Sequence, residues 1–134
     1  MTMKYGFGTT VPMDFEQALD VVTEALKQEG FGVLTDIDVQ ATLKQKLGED
    51  MPPYRILGAC NPPLAHRALS AEPSIGLLLP CNVVVRQDDD GTVRVEVMDP
   101  KAVLALTDNP AVHELAQEVR QRLERVLAAV AGGR

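Results

Sequence analysis

The chain has no tryptophan, and its two tyrosines and three phenylalanines hold the aromatic share to 4%. A base-stacking platform or a carbohydrate-binding face would spread exposed rings across one surface, so neither is expected. Positive charge is in deficit too: 13 Lys and Arg stand against 19 Asp and Glu, a formal net charge of −6. A phosphate backbone would on average be repelled, which argues against a nucleic-acid partner. No apolar run approaches the about 20 residues that a bilayer requires, and no secretory apolar segment is evident, so a cytoplasmic protein with no membrane partner is expected. Cysteine and histidine are scarce, two of each. Zinc sites draw on close Cys or His pairs, whereas Cys60 and Cys81 are far apart in sequence and His113 opens the last helix. No metal is expected, no cofactor is indicated, and in a reducing compartment both thiols should be free.

What is present fits an ordinary globular domain. With 134 residues, 46% of them hydrophobic and 24% charged, the chain can bury roughly 65 to 70% of its unfolded surface in a single core. No repeat, linker or low-complexity segment divides it, so residues 1–134 are read as one domain.

The elements follow from periodicity and punctuation. Residues 3–11 alternate apolar and small or polar, as in a half-buried strand that Pro12 stops. Asp14 and Gln17 suggest a capping box for a helix with its apolar stripe at Phe15, Ala18, Leu19, Val22, Ala25 and Leu26, left at Gly30. Phe31, Val33, Thr35 and Ile37 mark a second strand, and Asp38 caps a short helix closed by Gly48. Pro52 and Pro53 keep the next loop extended. A third strand covers residues 54–59. Asn61-Pro62 then starts a helix, because Asn caps well and Pro suits the first helical position. Residues 75–86 read as one long apolar strand interrupted at Pro80 by a bulge or bend. Asp88 to Gly91 form a hairpin turn, and Val93, Val95 and Val97 return as a strand. Asp99-Pro100 opens a short helix. Asn109-Pro110 opens the longest one, with Val112, Leu115, Val119, Leu123, Val126 and Val130 on its apolar side and Gly132-Gly133 at its end. Five alternating strands with short connections point to a two-layer α+β fold, a mainly antiparallel five-stranded sheet with helices packed on one face. Strand order does not follow from the sequence.

The least ordinary chemistry lies in residues 54–85, where each cysteine is followed by an asparagine and each pair touches a proline: Cys60-Asn61-Pro62 and Pro80-Cys81-Asn82. Placed just before a helix N-terminus, Cys60 would gain from free N–H groups and the helix dipole, which favour a thiolate. Cys81 and Asn82 would lie nearby if the third and fourth strands are neighbours. His66 on the intervening helix is a candidate base, and Arg55 and Arg67 could add positive charge. The competing reading, which takes precedence, makes both cysteines small buried hydrophobes and both asparagines local caps, because an activated thiol comes with a fixed base and none is evident. His66 alone is more simply an exposed helical residue. Asp36 and Asp38 should share one side of a strand end, where capping outweighs a catalytic carboxylate pair. Asp88 to Asp90 lack calcium-loop spacing, and Gly6-x-Gly8 lacks the third glycine of a dinucleotide fingerprint; those glycines fit close strand packing instead.

The segments Val33-Leu34-Thr35-Asp36-Ile37-Asp38, Tyr54-Arg55-Ile56-Leu57-Gly58-Ala59-Cys60-Asn61-Pro62, Gly76-Leu77-Leu78-Leu79-Pro80-Cys81-Asn82-Val83-Val84-Val85 and Met98-Asp99-Pro100 resemble the prokaryotic family catalogued as domain of unknown function 302. The resemblance covers nearly the whole chain. It implies a TATA-binding-protein-like α+β fold and pairing into homodimers, and it implies no activity, cofactor or substrate. Three readings of function stay open: a small-molecule-binding or interaction domain using Cys60, Asn61, Cys81, Asn82 and Arg55; a thiol-dependent sulfur or redox activity on Cys60, with Cys81 and His66 as further candidates; and a self-associating structural protein.

Overall fold

The computed structural model describes residues 3–132. Along them the order is β1 (Gly6–Val11), α1 (Phe15–Gln28), β2 (Gly32–Asp38), α2 (Val39–Leu47), β3 (Tyr54–Cys60), α3 (Pro62–Ala71), a 3-10 helix (Pro73–Leu78), β4 (Cys81–Gln87), β5 (Val93–Met98), α4 (Pro100–Val103), a 3-10 turn (Leu104–Leu106) and α5 (Pro110–Ala131). Gly132 follows α5; Gly133, expected with it at the helix end, lies outside the described residues.

The strands form one sheet in the order β1-β5-β4-β3-β2, each neighbouring pair antiparallel. Period-two alternation gives this sheet two unlike faces. On one, the row Leu57, Val83, Val97 and Phe7 runs across four strands through the observed register, and all four side chains are buried. α1 and α5 complete this core with Val22, Leu26, Leu123, Val126 and Val130. The other face carries no helix from this core and exposes Ile37 to 49%. The result is the two-layer α+β fold that the strand pattern implied.

Helix ends are set by the side chains that suggested them. The Asp14 carboxylate accepts from Gln17 N at 2.8 Å, Asp38 from Ala41 N, Asn61 from Leu64 N, Asp99 from Lys101 N and Asn109 from Ala111 N. Each supplies an acceptor for a backbone donor that has no partner inside its helix. On β1, a side chain at Gly8 would stand 2.6 Å from the Val95 carbonyl oxygen, so glycine there permits the close strand approach.

Two boundaries differ from the sequence reading by more than a residue. β1 begins at Gly6, because Met3 N donates to Gly6 O at 2.9 Å and folds the preceding residues into a turn. The expected strand over residues 75–86 is divided: Pro73–Leu78 forms a 3-10 helix, and β4 starts only at Cys81, after a cis Leu79–Pro80 peptide. The leucines there lack the β-branching of Val83, Val84 and Val85, and Leu77 is 88% exposed, so the leucine run was not a core strand.

Leu123 on α5 is fully buried in the core, whereas Leu47 on α2 is 68% exposed. Leu123→Ala should lower unfolding free energy by about 2–5 kcal/mol, and Leu47→Ala should stay within about 0.5 kcal/mol of wild type. Urea denaturation measures both, and equal losses would contradict the core assignment.

Candidate functional site

β3 ends at Cys60 and turns directly into α3 through Asn61. Cys81 is the first residue of β4 and stands opposite Ala59 in the ladder. Both cysteines therefore lie at one end of adjacent central strands. α3 and the 3-10 helix after it arch over that end and leave a cleft of about 270 Å³. Ala59, Cys60, Asn61 and Cys81 line it from the strand ends, and Leu64, Ala68 and Leu69 from α3. Gly76, Leu79 and Pro80 form the side made by the turn, with Phe31 just before β2, Leu34 within it, and Leu104, Leu115 and Val119 from the helical layer. No arginine, lysine, histidine or carboxylate is among these residues.

The electrostatics oppose an activated thiol. Burial pushes the Cys60 thiol up from its ordinary value. Burial, with the neighbouring Cys60 as the smaller cause, pushes Cys81 up to about 12. The expected help from the α3 N-terminus is missing for a countable reason. Pro62 and Pro63 have no N–H, Leu64 N donates to Asn61 Oδ1 at 3.3 Å, and Ala65 N donates to Asn61 O at 2.9 Å. The first turn thus has no free donor to stabilise an anion.

Of the other residues singled out in the sequence, Asn82 follows Cys81 but points to the opposite sheet face. It lines an open groove of about 630 Å³ there with Tyr5, Tyr54, Arg86, Glu96 and Met98. The charges of that face are mutually engaged: Arg86 pairs with Glu96 at 2.7 Å and with Asp88, and Arg94 pairs with Asp88 at 2.6 Å. His66 and Arg67 are exposed on the outer side of α3 in a shallow depression with Ser70 and Glu114, away from the thiols. Arg55 is drawn to the β2 side of the sheet, 2.8 Å from Asp36 and 3.5 Å from Asp38. Asp36 and Asp38 do share a side, as their spacing implied, but a guanidinium stands between them and Asp38 also caps α2. Cys60, Asn61 and Cys81 are brought together; Asn82, His66 and Arg55 are not. Among the described residues, no group of three or more His, Cys, Asp and Glu could hold a metal ion, and no helix is long and apolar enough to cross a membrane.

Leu34 and Leu115 are cleft residues that sequence reasoning passed over. Leu34 had a signal: it is apolar on the polar phase of β2, and the register shifts between Val33 and Thr35 at that point. The bulge turns Leu34 toward the cleft mouth. Leu115 had none, since it belongs to an apolar stripe that otherwise fills the core.

The family model for Domain of unknown function DUF302 matches residues 7–130. The crystal structure of uncharacterized conserved protein DUF302 from Bacillus stearothermophilus is similar to this chain at 33% sequence identity and a TM-score of 0.87, covering 94% of this chain and 98% of that one. No curated protein matches.

The thiol energetics have a measurable consequence. Because the folded state holds the Cys81 proton up to about 12 and the unfolded thiol releases it near 9.0, the unfolded state binds fewer protons in that window. Stability must therefore fall as pH rises through it. Cys81→Ala should remove part of that alkaline loss in denaturation curves taken from pH 8 upward. At neutral pH, Cys60 should alkylate more slowly than a free thiol and Cys81 only on unfolding; rapid modification of either with an apparent pKa below the ordinary value would overturn this account.

Proposed function

The chain belongs to the DUF302 family, whose name records an unknown function, and we propose that it is a small-molecule-binding domain whose ligand enters the cleft between the β3 and β4 ends and α3. One observation carries the reading: a concave space of about 270 Å³ with apolar walls and a single buried polar side chain, Asn61, among its lining residues. Ligand sites in small domains are concave, mostly apolar and furnished with few orienting polar groups. The alternative of a thiol-dependent activity on Cys60, Cys81 or His66 has less support, since both thiols are held protonated and the imidazole lies elsewhere. A cytoplasmic setting belongs to the same reading and is supported by two cysteines that are not joined.

Thermal shift with a panel of small neutral apolar molecules tests the cleft. Gly76 lines it, and a Cβ added there would meet only Leu69, at an ordinary 3.8 Å, so the position accepts a side chain and Gly76→Leu is the variant that should occupy the cleft. Stabilisation by panel members in wild type, reduced at least several-fold in Gly76→Leu, is expected. A flat response in wild type would overturn the reading.

A second reading concerns assembly. We infer that the sheet face opposite the α1 and α5 layer pairs with a second copy, because Ile37, Ile56 and Val84 form an apolar row across β2, β3 and β4 there, and Ile37 is 49% exposed. Wild type should sediment as a dimer across a dilution series and Ile37→Lys should shift to monomer; monomer alone at every wild-type concentration rules the pairing out.

A further inference from the structure

Asn61 is the one polar residue in the core among the described residues, 7% exposed. Its side-chain oxygen and its backbone oxygen are both used, by Leu64 N and Ala65 N. Its amide nitrogen donates to no group of the described residues. No buried side-chain nitrogen or oxygen is left without a partner among the described residues, so Nδ2 keeps some open surface rather than being sealed. The cap itself does not require this nitrogen, because Ser, Thr or Asp would supply the acceptor that Leu64 needs. Gly30 makes room for it: any side chain at that position would stand 2.9 Å from Nδ2, and its φ of +85° already favours glycine. The fold thus keeps an uncommitted amide donor at the edge of an apolar space.

We propose that the ligand of this cleft is a neutral, mainly apolar molecule bearing one hydrogen-bond acceptor, of the carbonyl class, and that Asn61 Nδ2 donates to that oxygen. This rests on the ligand-binding reading above. Neutrality follows from the charges on hand. No cationic side chain is among the lining residues. The nearby Arg122, whose Nη1 stands 3.3 Å from the same added side chain at Gly30, is already held by Glu118 and the Glu29 carbonyl. The α3 N-terminus has no free N–H, so a carboxylate or phosphate entering the cleft would lose its water without an uncommitted counter-charge. A purely hydrocarbon ligand would instead leave the amide donor without an acceptor when it displaced solvent, which is costly. An apolar body with a single acceptor satisfies both walls and donor.

The test compares acetophenone, ethylbenzene and benzoate, which share a ring and approximate size and differ in acceptor and charge. NMR titration of the 15N-labelled full chain should give acetophenone an affinity about 3- to 10-fold above ethylbenzene, as one neutral hydrogen bond provides. Acetophenone should move the Asn61 side-chain NH2 signals, ethylbenzene should leave them in place, and benzoate should not bind. Asn61→Asp keeps the capping acceptor and removes the donor, so it should abolish the preference for acetophenone. Should that variant not fold, the Asn61 NH2 response in wild type decides alone. Equal binding of ketone and hydrocarbon with the NH2 signals unmoved overturns the donor role and leaves the apolar cleft standing. Benzoate binding as tightly as acetophenone overturns neutrality. If none of the three binds, both the donor role and the ligand-binding reading fall.

Discussion

Everything in this molecule depends on covering one apolar face of an antiparallel sheet. Val83, Val85, Val93, Val95 and Val97 project to one side of β4 and β5 and are all buried. The 22-residue α5 and the shorter α1 lie over them. β-branched residues suit a pleated, half-buried surface, and burying each such side chain contributes on the order of 1.5–3 kcal/mol. The arrangement protects the centre of the sheet and leaves two regions less fully covered: the strand ends at Cys60 and Cys81, and the opposite face.

Those two regions are treated differently. At the strand ends, α3 and the following 3-10 helix form a partial roof and their apolar side chains enclose a cleft. On the open face, charge organises the surface. Arg86 bridges Glu96 and Asp88 while Arg94 holds Asp88, which ties β4 to β5 beside their hairpin turn. On the other side of the sheet, in register with Val85 and Leu57, Arg55 joins Asp36 and Asp38 near β2. These pairs are partly exposed, so each adds little to stability by itself; their effect is to fix side-chain directions and to blunt the β2 edge with charge.

The cleft corner also illustrates why a motif is not a mechanism. A cysteine ahead of a helix start ordinarily suggests a lowered thiol pKa. Here two prolines remove two backbone donors and Asn61 occupies the next two, so the dipole end has no hydrogen bond to offer. Burial then dominates and the thiols become harder to ionise. The same prolines and asparagine that made the segment conspicuous are what disarm it as a nucleophile.

The sequence by itself determined the elements and the layer arrangement, because these rest on local physics: alternation in Val93, Val95 and Val97, caps at Asp14, Asp38, Asn61, Asp99 and Asn109, and an apolar stripe along α5. It misjudged residues 75–80, where a leucine run has no period to distinguish a strand from a 3-10 helix and neighbouring prolines decide. The site was only half legible. Cys60, Asn61 and Cys81 announced themselves by composition, yet strand order, which no local pattern encodes, was what set Ala59 opposite Cys81. Side-chain alternation sent Asn82 to the far face, helical phase turned His66 outward, and cross-strand charge drew Arg55 to Asp36. Tertiary structure alone brought Leu34, Leu104 and Leu115 to the same cleft, because their shared surroundings arise from elements packed together across long sequence separations.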